Sequence, residues 1–266
     1  MDIGTAKPDA AVCARVPHHL INLVGPEESF SVAEYQAAGR IVLDDLANSH
    51  RAAVIAGGSG LHFRALVDPM SFAPTEPGLR SQLEATPVAD LVTELLGDDP
   101  DAGAHVDLAN PRRVLRAVET FRLTGVTPSQ RAGTAEAEAL RSYTPRMPLV
   151  ALGVDPGDGL PARVADRFDA MLDAGLLDEV EALAPRLGRS ARQAVGYKEL
   201  LPVVRGEASI EDGRATAIQA TLGLAKRQRT FFRRDPRIRW LAWHDDADER
   251  TFEAHRALEE AETWTS

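Results

Sequence analysis

The fold class is decided by the stretch VIAGGSGL, residues 54–61. An apolar run with β-branched residues leads into a turn with three glycines, and a helical pattern follows, which is the order strand, tight turn, helix. Similar apolar runs at residues 19–24, 149–154 and 238–243 predict further strands, and the run that precedes the turn is placed at residues 52–56. Strands that alternate with helices predict an α/β fold with a mostly parallel sheet.

The glycine turn at residues 57–60 is open to two interpretations. Glycines let a backbone approach an anion closely, and the first N–H groups of a following helix point at it. The same pattern also serves as a plain connection from strand to helix. No Gly-Lys-Ser/Thr follows, so the turn is neither a Walker A loop nor a dinucleotide fingerprint. Taken alone, the pattern favours the structural turn.

Helical patterns fill most of the remaining chain. Ser31 and Glu34 have the spacing of a capping box, which predicts a helix that runs to about residue 47. Further helices are predicted at residues 160–183, 196–205, 210–233 and 248–261.

The middle of the chain differs from its flanks. Residues 69–146 are rich in proline, glycine and acidic residues and show helical patterns without a strand pattern. We interpret them as a helical insertion domain in an α/β core formed by residues 1–68 and 147–266.

Composition excludes several classes of protein. Of 266 residues, 44% are hydrophobic and 26% are charged, as in packed globular proteins. Every apolar run is too short to cross a bilayer, and the first residues do not resemble a signal peptide. The single cysteine, Cys13, cannot form an internal disulfide. These features predict a cytoplasmic protein without a membrane partner.

Charge is distributed unevenly along the chain. The net charge is -10, which by itself argues against a nucleic-acid partner. However, residues 226–239 contain seven Lys and Arg against one acid, Asp235, with Phe231 and Phe232 among them. Four more arginines lie at positions 112, 113, 116 and 122. Composition supports a solvated helix face and a nucleic-acid-binding surface about equally.

Patterns for metal or nucleophilic chemistry are weak. His18 and His19 are adjacent, so in a strand they point to opposite faces, and Cys13 lacks the spacing of a zinc site. The sequence has neither a G-x-S-x-G elbow nor an H-E-x-x-H motif. No metal ligand is predicted.

Seven segments together carry a family resemblance. They are MDIGTAKP (1–8), VPHHLINLVGPEESFSVAEYQ (16–36), VIAGGSGLHFRAL (54–66), NPRRVLRAVETFRLTG (110–125), RFDAMLDAGLLDEVEAL (167–183), AVGYKEL (194–200) and LAKRQRTFFRR (224–234). In this order and spacing the chain resembles the tRNA dimethylallyltransferase, or tRNA isopentenyltransferase, family from Met1 to about Trp243.

The resemblance implies a fold like that of the P-loop nucleotide kinases, with an inserted helical domain that grips the anticodon stem. It implies transfer of a dimethylallyl group from dimethylallyl diphosphate to the N6 amine of the adenosine next to the anticodon. Cations would neutralise the leaving diphosphate, and the adenine would leave its stack to react. The implied cofactor is Mg²⁺, the implied partner is the tRNA anticodon stem-loop, and the implied state is a monomer.

The resemblance also assigns roles to residues. Those expected to contact tRNA are Ser59, Arg80, Arg112, Arg113, Arg116, Gln193, Ala194, Val195, Gly196, Tyr197, Lys198, Lys226, Arg227, Gln228, Thr230, Phe231 and Arg233. Those expected near the diphosphate are Gly57, Gly58, Lys226 and Arg227. Within the first set, Tyr197 is expected to stack on a base.

Family sequences carry a Walker A-type loop and a D-S-x-Q-x-Y motif before the MDIGTAKP segment, and the aspartate of that motif is the proposed general base. We therefore assign no catalytic residue in this chain. We expect Met1 to be an internal methionine of a longer protein, and the chain as given to be inactive alone. The alternatives are a shortened tRNA-binding homologue without catalysis and a scaffold with neither function.

Three positions depart from the family pattern. Leu222 replaces an arginine expected near the diphosphate, and Asp107 replaces a frequent histidine. Phe231 replaces a tryptophan, which keeps a stacking surface but loses an N–H donor.

Overall fold

The computed structural model describes residues 1–262. It divides into two compact units: unit 1 is Met1–Leu66 together with the chain from Pro148 onward, and unit 2 is Val67–Met147. The described chain is mostly helical. Its helices are α1 (Ala10–Arg15), α2 (Val32–Asn48), α3 (Gly60–Val67), α4 (Pro77–Ala85), α5 (Val88–Asp98), α6 (Pro111–Thr124), α7 (Pro128–Ala132), α8 (Ala135–Arg141), α9 (Leu160–Asp173), α10 (Leu176–Leu183), α11 (Tyr197–Val204), α12 (Ile210–Phe232) and α13 (Ala247–Glu262), with 3-10 turns at Ala102–Ala104 and Ala191–Gln193.

Unit 1 contains a small parallel sheet. Strand β1 (Ala151–Asp155) pairs with β2 (Ile238–Ala242), in a register that aligns Ala151 with Ile238 and Asp155 with Ala242. Parallel strands require a long crossover. Here α9 to α12 supply it, and the strands predicted at residues 149–154 and 238–243 are confirmed with small shifts of their ends.

Two other predicted strands are wrong. Leu20 and Asn22 have positive φ values of 63° and 58°, and this left-handed backbone interrupts any strand at residues 19–24. Residues 52–56 pair with no other described segment, and the Val54 side chain is 94% exposed. Because a strand depends on a neighbour for its N–H and C=O groups, this apolar run does not become one here. The sheet of the described chain therefore has two strands.

Most predicted helices are confirmed, and one is divided. Ser31 and Glu34 form the capping box at the start of α2, as predicted. The helix predicted at residues 160–183 is two helices, α9 and α10, because Gly175 adopts a left-handed φ of 94° between them. In the described part of the chain, no helix has the length and apolar character that crossing a membrane requires.

The core of unit 1 lies among α9, α10, α11 and α12. Its fully buried side chains include Leu176, Val180, Tyr197 and Leu200. Close approach of α11 and α12 depends on Gly213, where a Cβ would overlap the Val203 side chain. This packing fixes the direction of α12, the helix that carries Lys226, Arg227 and Arg229.

Unit 2 has its own core, which is formed by α4, α5 and α6. Leu83, Leu91, Leu95, Val114 and Val118 are almost completely buried there. Helix α6 begins at the Asn110 cap followed by proline, and it ends at Gly125 with φ 70°. The same helix holds Arg112, Arg113 and Arg116.

Candidate functional site

In unit 1 the glycine turn packs directly against α12. A Cβ added at Gly58 would overlap the amide of Gln228, and one added at Gly60 would overlap the ring of Phe231. Only glycine allows this contact between backbone and side chain without displacement. Gly57, in contrast, faces open space. The turn and the basic segment, which lie far apart in the sequence, therefore form one candidate site.

Ser59 and His62 form a hydrogen-bonded pair at this turn. The Ser59 hydroxyl lies 2.7 Å from Nδ1 of His62. The His62 ring makes an edge contact with Tyr35 of α2, with ring centroids 4.8 Å apart and planes at 71°. Burial lowers the pKa of His62 below its ordinary value, which favours the neutral ring at pH 7.

Aromatic side chains line the side of the turn that faces α12. Phe231 and Phe232 meet edge to face at 5.5 Å, and Phe63 of α3 lies 5.9 Å from Phe232. Phe231 is still 40% exposed, so part of its ring is available to a ligand. A partly exposed ring beside glycines and cations is a suitable surface for stacking a nucleobase.

Six of the seven cations of residues 226–239, all except Arg239, fall into two groups. Asp155, at the carboxyl end of β1, binds Arg229 at 3.0 Å and Arg233 at 3.2 Å. The N–H of Gly157 and these arginines lower the pKa of Asp155, so this carboxylate is ionised at neutral pH. The buried Asp235 binds Arg237 at 2.7 Å.

The second group is available to a ligand. Within residues 1–262, Lys226, Arg227 and Arg234 are exposed and make no side-chain ion pair. Of the expected phosphate contacts, Lys226 and Arg227 are thus unpaired, whereas Arg233 shares Asp155 and is 57% exposed. Gln228 lies at Gly58, and Thr230 bonds its hydroxyl to the Lys226 carbonyl at 2.9 Å.

The segment Gln193–Lys198 is mostly enclosed. Tyr197 is fully buried, and its hydroxyl donates a hydrogen bond to Glu179. The stacking role expected for Tyr197 is therefore wrong for this structure, because its ring is inaccessible to a base. Gly196 is also buried, at φ 92°, while Ala194 and Val195 are half-buried; only Gln193 and Lys198 are exposed.

Glu179 explains why Tyr197 is held inside. Its carboxylate accepts the N–H groups of Asp2 at 2.6 Å, Ile3 at 3.1 Å and Gly4 at 3.3 Å, besides the Tyr197 hydroxyl. Burial by itself raises the pKa of Glu179, but these four donors outweigh it and the pKa is lowered. Sequence analysis assigned no role to Glu179, although its segment was one of the seven that carry the resemblance.

In unit 2 the arginines divide in a similar way. The fully buried Glu119 binds Arg80, with Nε to Oε1 at 3.0 Å, and Arg116, with Nη1 to Oε2 at 2.5 Å. Arg116 also donates to the Pro74 carbonyl at 2.9 Å. Arg80 and Arg116 therefore hold unit 2 together, and each keeps only about a third of its side chain exposed.

Arg112 and Arg113 remain exposed at the start of α6. Their backbone N–H groups bind the Asn110 cap, and within the described chain their guanidinium groups have no partner. The i, i+3 spacing of Arg116 and Glu119 was visible in the sequence and could have indicated their ion pair. It could not have shown that Arg80 completes the group.

The residues at the glycine turn do not form a metal site. Across residues 1–262, no three His, Cys, Asp or Glu side chains are grouped as metal ligands. Asp155, at the end of β1, is occupied by two arginines. The described side chains therefore offer no ligand cluster that would hold Mg²⁺ without a substrate phosphate, and we derive no step through the ion.

Unpaired cations and a partly exposed aromatic ring on the helix that packs against the glycine turn are features that suit binding of a polyanion. The IPP transferase family model matches residues 1–235, and this chain belongs to that family.

Curated relatives and solved structures agree with this assignment. The chain is 39% identical to a tRNA dimethylallyltransferase of Bifidobacterium longum over 246 residues, which is 91% of this chain and 73% of the relative. The tRNA isopentenylpyrophosphate transferase structure from Bacillus halodurans superimposes with a TM-score of 0.68 at 32% identity, over 100% of this chain and 86% of that one. A eukaryotic dimethylallyltransferase described as acting on tRNA has a TM-score of 0.74 over 94% of this chain and 67% of that one; at 21% identity, it shows likeness of fold alone.

Proposed function

We propose that this protein takes part in tRNA dimethylallylation, with the N6 amine of the adenosine next to the anticodon as acceptor. The observation that carries the proposal is the packing of the glycine turn on Gln228 and Phe231 of α12. This contact brings the amide of Gln228 and the ring of Phe231 to the turn that carries Ser59. Both side chains lie on the same helix as the unpaired Lys226 and Arg227. Family membership supports dimethylallyl diphosphate and the tRNA anticodon stem-loop as the substrates that we propose.

Each part of the site has a chemical task in this proposal. Lys226 and Arg227 neutralise the diphosphate as the allylic C–O bond breaks, which stabilises charge that develops on the leaving group. Phe231 offers a surface for the extruded adenine, and Ser59 and Gln228 offer hydrogen bonds to its edge. Arg112 and Arg113 of unit 2 bind RNA phosphates.

The division of the chain into two units supports a more detailed proposal about the fold. We propose that unit 1 corresponds to the α/β core of a fold like that of the P-loop kinases, and unit 2 to the inserted tRNA-binding domain. We further propose a cytoplasmic monomer and Mg²⁺ bound chiefly through the diphosphate, because Mg²⁺ is often held by substrate phosphates with few protein ligands.

A second candidate function is tRNA binding without transfer. One observation favours it: Asp155, at the end of β1, is held by two arginines, so it is poorly placed to accept the proton that the amine releases. No described residue is assigned as the general base.

The decisive experiment measures binding and transfer together. The full chain is mixed with an anticodon stem-loop RNA and dimethylallyl diphosphate; fluorescence anisotropy gives Kd, and mass spectrometry of the digested RNA detects the prenylated nucleoside. Binding with transfer supports the first function, and binding without transfer supports the second. If the stem-loop binds no better than an unrelated hairpin of equal length, neither function is correct.

A matched pair of variants locates the site. Arg227→Ala removes an unpaired cation of α12, and Arg205→Ala removes an exposed arginine that is already paired with Glu207 at 3.0 Å. We expect Arg227→Ala to weaken RNA binding about three- to tenfold and Arg205→Ala to leave it nearly unchanged. Equal effects would place the RNA elsewhere on the protein.

A further inference from the structure

The Ser59–His62 hydrogen bond can run in either direction, and its direction depends on the His62 tautomer. Ser59 lies immediately before α3 and its hydroxyl lies 2.7 Å from His62 Nδ1, so the hydroxyl is tied to the ring. The ring is half-buried and is held edge-on by Tyr35. Ser59 itself is exposed, so its oxygen can meet a ligand while its proton is engaged.

A neutral histidine has one acceptor nitrogen and one donor nitrogen. Burial lowers the pKa of His62 and so favours this neutral form. If Nδ1 is the acceptor, the Ser59 hydroxyl donates its only proton to His62. The Ser59 oxygen can then only accept a hydrogen bond from a ligand. If Nδ1 carries the proton, Ser59 is instead free to donate. The two tautomers select opposite ligand groups, an N–H donor in the first case and a carbonyl oxygen in the second.

We propose that His62 accepts the Ser59 proton and so holds the Ser59 oxygen as an acceptor for the exocyclic amine of the target base. This inference rests on the proposed function, because the amine is the acceptor group of that reaction. His62 is then a positioning residue that acts through Ser59, and it favours a 6-amino purine over a 6-oxo purine. Gln228 at Gly58 and Phe231 at Gly60 contact the residues on either side of Ser59 in the turn.

The test compares stem-loops that differ in one base, at the C6 substituent and, for hypoxanthine, also at N1, which there carries a proton. The base next to the anticodon is adenine, hypoxanthine or unsubstituted purine, which present an amine, a carbonyl or hydrogen at C6. Anisotropy titrations at fixed salt give the ratio of Kd values for each pair. The ratio isolates recognition of the base because contacts with the RNA backbone are common to all three RNAs.

Four proteins are compared with the unaltered chain. His62→Phe keeps an aromatic ring against Tyr35 but removes the acceptor, and His62→Asn returns an acceptor oxygen near the position of Nδ1. Ser59→Ala removes the oxygen at an exposed position, so folding is not at risk. The fourth combines Ser59→Ala with His62→Phe.

We expect the unaltered chain to prefer adenine over hypoxanthine by about three- to tenfold, the range of one hydrogen bond. His62→Phe and Ser59→Ala should each remove this preference, the double variant should add nothing further, and His62→Asn should restore most of it. Affinity for the unsubstituted-purine RNA should change little in all variants.

Other outcomes overturn the inference in distinguishable ways. A preference for hypoxanthine would mean that Nδ1 carries the proton. A preference for adenine that survives His62→Phe would assign the recognition to another residue, and the proposed function would stand. Failure of the unaltered chain to bind the adenine stem-loop would overturn the proposed function and this inference together.

Discussion

Glu119 offers a direct test of how unit 2 is held together. We predict that Glu119→Gln destabilises unit 2, because the substitution removes a fully buried charge while leaving the guanidinium groups of Arg80 and Arg116 in place. The new amide would also direct N–H donors at groups that are themselves donors only.

The magnitude follows from burial. Breaking a buried ion pair by removing one partner costs about 3–5 kcal/mol. Here the carboxylate is fully buried, but each arginine keeps about a third of its side chain exposed and can recover some hydration. We therefore expect the low end, about 3 kcal/mol in the free energy of unfolding. For a unit the size of Val67–Met147, that corresponds to a loss of roughly 12–24 °C in Tm.

The pH dependence has a definite sign. Burial alone raises the pKa of Glu119, but Arg80 and Arg116 outweigh burial and the pKa is lowered in the folded state. A group with a lowered pKa contributes stability above its unfolded pKa and loses it as pH falls through the folded value. Unit 2 of the unaltered chain should therefore weaken in acid below about pH 4.5, and Glu119→Gln should remove this component.

Hydrogen exchange read by mass spectrometry suits the assay, because peptides from α4 and α6 report unit 2 separately from unit 1. Glu138→Gln is the control. It breaks the surface i, i+3 ion pair between Glu138, which is 67% exposed, and Arg141, and it should lower the free energy of unfolding by less than about 0.5 kcal/mol. If Glu119→Gln and Glu138→Gln raise exchange in α4 and α6 equally, the buried pairs do not stabilise unit 2 as argued.

Three further predictions concern single side chains. Arg113→Ala should weaken anticodon stem-loop binding and reduce the slope of log Kd against log salt by about 0.7–1, measured by anisotropy at several salt concentrations; an unchanged slope would remove Arg113 from the interface. Tyr197→Phe keeps the buried ring but removes the hydrogen bond to Glu179, so urea denaturation should show a loss of about 1–2 kcal/mol, and full stability would contradict that bond. Asp155→Asn removes the carboxylate that neutralises Arg229 of α12 and Arg233 directly after it, so single-stranded RNA should bind about two- to fivefold more tightly at low salt, and weaker binding would mean that the carboxylate is needed to position them.

Local signals in the sequence predicted local structure well. The capping box at Ser31 and Glu34 and the start of α12 after residue 209 are set by neighbours within one helical turn. The apolar runs at residues 19–24 and 52–56 were wrongly predicted to be strands. Apolar character does not provide a pairing partner, and it cannot exclude a left-handed backbone at Leu20.

The candidate site was predicted in its parts but not in its arrangement. The glycine turn and the basic segment were each visible, yet their contact depends on packing between residues far apart in the chain. Contacts between distant residues also explain why the burial of Tyr197 was not predicted. A tyrosine in a segment expected to contact RNA favours stacking on a base. In the structure, the backbone N–H groups of residues 2–4 bind the Glu179 carboxylate, which in turn holds the Tyr197 hydroxyl. His62 was missed because a single histidine in an apolar helix carries no distinctive pattern.

The contact between the glycine turn and α12 constrains the order in which this sequence can diverge. A side chain at position 60 overlaps the Phe231 ring, so Gly60→Ala is tolerable only in a background where residue 231 is already smaller. Position 58 is freer, because the group it meets is the end of the Gln228 side chain, which can rotate away. Among relatives of this chain, substitutions at position 231 of α12 should therefore precede substitutions at position 60 of the turn. A side chain at position 60 should be accompanied by a smaller residue at position 231.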